Sequence, residues 1–91
     1  MPIQNKGLFE ILKALCHPTR FLIVEELIKG KKCVSKIQDL IKASQPNISQ
    51  HLSILRLTGI VEWEQNGQTK CYCLKNPDAM KKLFNALKGF G

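Results

Sequence analysis

Two short apolar stripes at helical spacing follow one another with almost no chain between them. Val34, Ile37, Leu40 and Ile41 form the first; Ile48, Leu52 and Leu55 form the second. Only Lys42 and Ala43 separate them before Ser44, which suits an N-cap. So tight a connection makes the two helices cross steeply, which is the geometry of a helix-turn-helix. Pro46 falls in the first turn of the second helix, where its missing N–H is harmless.

The flanking segments complete an order of elements. Leu8, Ile11, Leu12 and Leu15 make a first helical stripe, ending near Cys16-His17 because Pro18 disfavours helix for the residue before it. Pro18 opens a second helix whose apolar face is Phe21, Leu22, Val24, Leu27 and Ile28. Gly59 stops the helix predicted over residues 44–58, and the periodicity then changes from 3.6 to 2. Asn66-Gly67 marks a two-residue hairpin with a type I′ turn. That turn would pair Trp63 with Lys70, Val61 with Tyr72 and Glu62 with Cys71. One face then carries Val61, Trp63, Tyr72 and Leu74, the other Ile60, Glu62, Glu64, Thr69, Cys71 and Cys73. Asn76-Pro77 opens a last amphipathic helix with Ala79, Met80, Leu83, Phe84 and Leu87. The expected fold is mainly α with a β-hairpin wing: a winged helix-turn-helix of five helices, the hairpin lying between the fourth and the fifth. Residues 1–91 form one domain, because a chain this short has room for no second core.

Charge bears on the partner. Fourteen Lys and Arg against seven Asp and Glu give a formal charge of +7, which suits a polyanion. No stretch approaches the ~20 apolar residues of a membrane span. The run Met1 to Lys6 has no targeting pattern, so a cytoplasmic location is expected. In a reducing cytosol Cys16, Cys33, Cys71 and Cys73 are expected as thiols, with Cys16 a small buried residue.

The second helix of a helix-turn-helix enters the major groove with its N-terminal residues at base edges. With Ile48, Leu52 and Leu55 turned inward, the opposite surface and its flanks present Ser44, Gln45, Asn47, Ser49, Gln50, His51 and Ser53. From Ala43 to Leu55 no residue is charged. A merely solvated face usually carries Glu and Lys, whereas amides and hydroxyls donate and accept at base edges. Gln50 points most directly away from the core; His51 lies beside the buried stripe and fits a structural hydrogen bond as well as a DNA contact. Lys36, Lys42, Arg56, Lys70 and Lys75 are expected at phosphates, and the wing tip, including Gln68, at the adjacent backbone or minor groove.

Ala14-Leu15-Cys16-His17-Pro18-Thr19-Arg20, Ser49-Gln50-His51-Leu52, Leu55-Arg56 and Thr58-Gly59-Ile60-Val61, in this order and spacing, resemble the ArsR/SmtB family of bacterial and archaeal repressors. The resemblance runs from about Leu8 to Leu87. It implies a homodimer through the first and last helices, bound to an inverted repeat of double-stranded DNA. It also implies release on a metal, metalloid or redox signal. Leu8, Leu12, Met80, Leu83, Phe84 and Leu87 would form the dimer surface.

The sensor departs from the family pattern. Where metal-sensing members carry Cys-Val-Cys, this chain has Cys33-Val34-Ser35; its last helix has no His and only Asp78 as a carboxylate. What remains is Cys71 and Cys73 on one strand face with Glu62 across from Cys71, a possible cradle for a thiophilic metal or metalloid inducer. Glu62 and Glu64 would raise the thiol pKa, which argues against a reactive thiolate. Metal sensing, thiol-redox sensing and no sensing by these cysteines stay open.

Two other functions compete. A winged helix serving protein interaction without DNA readout would have a neutral or acidic recognition surface, against the basic excess here. An enzyme needs a nucleophile or an acid–base pair in a pocket. The only histidines, His17 and His51, have no expected carboxylate partner, so no enzyme is expected and no cofactor is required.

Overall fold

The computed structural model describes residues 6–91. The segment Met1–Asn5, read above for a targeting signal, lies outside the described residues. Five helices and three strands follow one another: α1 (Lys6–Leu15), α2 (Pro18–Ile28), β1 (Lys32–Cys33), α3 (Val34–Ile41), α4 (Gln45–Leu57), β2 (Val61–Asn66), β3 (Thr69–Leu74) and α5 (Pro77–Lys88). The helix-turn-helix and the wing stand where the periodicity puts them. The two-residue strand β1 is an addition; it makes the wing a three-stranded antiparallel sheet in the order β1-β3-β2.

Local chemistry accounts for the helix ends. His17 caps α2 with its ring, Nδ1 accepting from the Thr19 N–H at 3.1 Å, and Pro18 follows in the first turn. Ser44 Oγ accepts from the Asn47 N–H at 3.3 Å at the start of α4, and Asn76 Oδ1 from the Ala79 N–H at 3.1 Å at the start of α5. Lys42 closes α3 in the left-handed region (φ 58, ψ 49), which turns the chain within three residues into α4. Gly59, at φ +82, ends α4. Its N–H reaches Arg56 O at 3.0 Å, and the Ile60 N–H reaches Leu55 O at 3.0 Å, the bond pair of a Schellman motif. Ile60, expected on the outer wing face, is therefore the buried apolar residue that follows the glycine.

The hairpin register differs from the expected one. Asn66 pairs with Thr69, Trp63 with Tyr72, Glu62 with Cys73, Glu64 with Cys71 and Val61 with Leu74. The loop is thus Gly67-Gln68, with positive φ at Gly67 and not at Gln68, and Asn66 belongs to the ladder. The new register shifts the pairing by two residues, so each side chain keeps its face.

The core gathers Ile23, Val24 and Leu27 of α2, Ile37 of α3, Ile48, Leu52 and Leu55 of α4, and Val61, Tyr72 and Leu74 of the wing. Phe84 of α5, expected on the subunit-facing surface, is instead 3% exposed and stacks on Phe21 with ring centroids 4.4 Å apart. Met80 and Leu83 are half-buried against the same core. Leu8, Leu12 and Leu87 remain exposed, at 59%, 58% and 44%. Leu22 and Leu40 lie at the margins of their stripes and are also exposed.

Candidate nucleic-acid interface

Helix α4 turns Ile48, Leu52 and Leu55 fully inward, so its other faces are fixed by geometry. Ser44, Gln45, Asn47, Gln50 and Ser53 are exposed and Ser49 is half-buried. The uncharged amide-and-hydroxyl surface read from the sequence is therefore a real surface of the folded protomer. Lys36, Lys42, Arg56, Lys70, Gln68 and Lys75 are exposed as well.

A cleft of about 430 Å³ runs between the helix-turn-helix and the wing. Gln45, Ser49 and Ser53 of α4 line one side, and Gln68 and Lys70 the other. Thr69 of the expected wing tip lines it too; Ser35, Gln38 and Gln65 also line it and were not foreseen, because only the packing of α3 against the wing brings them together. Its lining carries a single charged residue, Lys70, and otherwise hydroxyl, amide and apolar groups.

His51 has a different place from Gln50. It is half-buried, its Nδ1 lies 3.3 Å from Arg20 Nη1, and its ring sits 4.5 Å from that of His17. Arginine can only donate, so His51 Nδ1 accepts and the ring is neutral. Burial, then His17 and Arg20 beside it, push its pKa below the usual histidine value. Arg20 Nε also donates to Ala14 O at 2.6 Å. This geometry gives His51 a structural contact that seats α4 on the start of α2. Arg20, in the sequence run that carried the resemblance, is the partner that single-residue reading missed.

The cysteines are arranged differently from the expected set. Cys33 and Cys71 are joined by a disulfide, across a separation of 38 residues. They sit directly opposite each other in the β1–β3 ladder. Cys33 is also the N-cap of α3 and makes no side-chain cap bond there. Cys71, expected on a half-exposed face as a thiol, is 1% exposed. Glu62 faces Cys73, not Cys71, and the Cys73 Sγ lies 3.8 Å from Glu62 Oε1. Burial first, then the carboxylates of Glu62 and Glu64, raise the Cys73 thiol pKa; Lys31 opposes them. Glu64 itself is ion-paired with Lys31. With Cys71 bonded to Cys33, no group of three or more His, Cys, Asp or Glu among the described residues is placed to hold a metal ion. Cys16, expected buried, is exposed.

Against this geometry, the relatives are informative. Residues 17–62, from the α2 cap into the wing, match the model of the bacterial regulatory protein arsR family. An HTH-type transcriptional regulator of Methanocaldococcus jannaschii is 41% identical over 75 residues, covering 81% of this chain and 83% of its own length. The HTH-type transcriptional repressor SmtB of Mycobacterium tuberculosis is 40% identical over 65 residues, covering 71% of this chain; the chain spans only 48% of that relative's length. Among solved structures, the transcriptional repressor BigR from Xylella fastidiosa superposes with a TM-score of 0.84 at 34% identity, covering 96% of this chain and 88% of that one. The chain belongs to the arsR family of bacterial regulatory proteins and has the winged helix-turn-helix fold of its solved relatives.

Proposed function

We propose that the protein binds an inverted repeat in double-stranded DNA as a homodimer and represses transcription from it. The observation that carries this reading is the surface of α4: Asn47 and Gln50 are exposed on a helix whose first three turns bear no charge. Amides there reach adenine N6 and N7, while surrounding lysines and Arg56 meet phosphates and fix the register. The exposed Leu8, Leu12 and Leu87 on the first and last helices supply the apolar surface that a second copy covers.

The signal is thiol redox chemistry at Cys33 and Cys71, working in a reducing cytoplasm. Cys33, the more accessible of the two, attacks hydrogen peroxide, forming a sulfenic acid and releasing one water. The Cys71 thiol then displaces the sulfenic hydroxyl as a second water and the disulfide closes; two equivalents of a small thiol reverse the step by exchange and leave as their own disulfide. The closed bond holds the start of α3 against β3 and denies the cleft its adjustment to a duplex, so the oxidised protein releases its operator.

The test selects duplexes from a random pool with the reduced protein, then measures affinity for a selected and an unselected duplex at fixed salt. Tighter binding to the selected sequence, lost on peroxide treatment and retained in C33S, is the expected result. Equal affinity for both duplexes would overturn sequence readout. Equal affinity before and after oxidation would overturn the redox signal alone.

A further inference from the structure

Two cations converge on one aromatic ring where α4 meets the wing. The Arg56 guanidinium lies over Trp63, 5.2 Å from the ring centroid, and Lys70 Nζ lies 4.5 Å from the same centroid. Arg56 comes from the last turn of α4 and Lys70 from β3, while Trp63 stands on β2. Both cations are exposed, and neither forms an ion pair among the described residues; the pairs found there use Lys13, Lys29 and Lys31. Trp63 is half-buried against the core beside Tyr72, its cross-strand neighbour.

Like charges brought together repel, and long side chains lose rotamer freedom when held. The negative face of an indole offsets both costs, because it attracts a cation without neutralising it. An acidic residue would hold Arg56 and Lys70 as well but would cancel their charge. An indole leaves that charge available to an anion. Lys70 and Tyr72 line the cleft between α4 and the wing while Arg56 and Trp63 stand outside its lining, so the anion would meet the cation pair at the edge of that cleft.

We propose that Trp63 is a positioning residue that presents Arg56 and Lys70 together to the phosphodiester backbone entering between α4 and the wing. This rests on the DNA-binding reading above. Trp63 carries no sequence information; it sets how many phosphates the junction engages and therefore how steeply affinity depends on salt.

The experiment measures duplex affinity across a salt series for wild type, W63F, W63L, R56Q, K70Q and the combinations of W63L with each. Loss of one phosphate contact lowers the slope of log affinity against log salt by about 0.9. W63L is expected to lose slope approaching that of the R56Q/K70Q double variant, W63F to keep most of it, and R56Q or K70Q to change little once W63L is present. A W63L protein with the wild-type slope, or undiminished effects of R56Q and K70Q in its background, overturns the proposal. Should W63L fail to fold, the emission of Trp63, the only tryptophan, carries the test in R56Q/K70Q, whose substitutions are at exposed positions. Duplex should alter that emission in wild type and not in the double variant; an equal response in both overturns the proposal. A wild type that binds no duplex at any salt removes the DNA-binding reading and this proposal together, whereas normal wild-type binding with an unchanged W63L slope removes this proposal alone.

Discussion

Cys33 and Cys71 are bonded directly across the β1–β3 ladder, so the N-cap of α3 is tied covalently to the middle of β3. Helix α3 is the first half of the helix-turn-helix and β3 is a wing strand, so one covalent link spans both parts of the candidate DNA surface. Breaking it removes a constraint on the unfolded chain over 38 residues of separation. Reduction, or C33S, is expected to cost about 2–4 kcal/mol of folding stability. Urea unfolding of wild type with and without a reducing agent checks this; C33S should unfold alike in both. A wild type insensitive to reductant would mean that the bond contributes nothing to stability.

His51 makes stability depend on pH. Its pKa is lowered in the folded protein, by burial first and then by His17 and Arg20, from a usual value of 6.5. The unfolded chain therefore binds the proton more readily, and stability rises with pH through this window. The contribution is fully present above 6.5 and is lost as pH falls through the lower folded value. Thermal midpoints measured between pH 7.5 and 5 should fall more for wild type than for H51Q, whose amide can still accept from Arg20. Parallel pH profiles would mean that His51 is not the group responsible.

Base readout is assigned to exposed amides. Replacing Gln50 or Asn47 by Ala should narrow the gap between selected and unselected duplex by about 1–3 kcal/mol each. Replacing Lys36 or Lys42 by Gln should weaken both duplexes alike and reduce the salt slope by about 0.9. Competition binding against both duplexes separates the two classes; sequence-independent losses for N47A and Q50A would move those residues to the backbone class.

Dimer surface and core are separable by substitution. L12E places a charge on an exposed apolar position of α1 and should give a folded monomer by sedimentation velocity, with weakened DNA binding. F84A removes a ring buried against Phe21 and should instead destabilise the protomer by about 3–5 kcal/mol. A dimer that persists in L12E would displace the interface from α1.

What the sequence determined is what neighbours within a few residues decide. Caps at His17, Ser44 and Asn76, the stop at Gly59 and the inward stripe Ile48-Leu52-Leu55 all act over one or two turns, so the helix-turn-helix and the amide surface of α4 were legible before any coordinates. The tertiary structure decided the rest. Both hairpin registers keep the same faces, so alternation alone cannot choose between them; the structure takes the one that places Val61 opposite Leu74 and Gly67 first in the loop. The pairing of Cys33 with Cys71, the seating of His51 on Arg20 and the meeting of Arg56 and Lys70 over Trp63 join residues remote in the chain. No local periodicity encodes them, because they exist only once α2, α3, α4 and the wing have closed on one core.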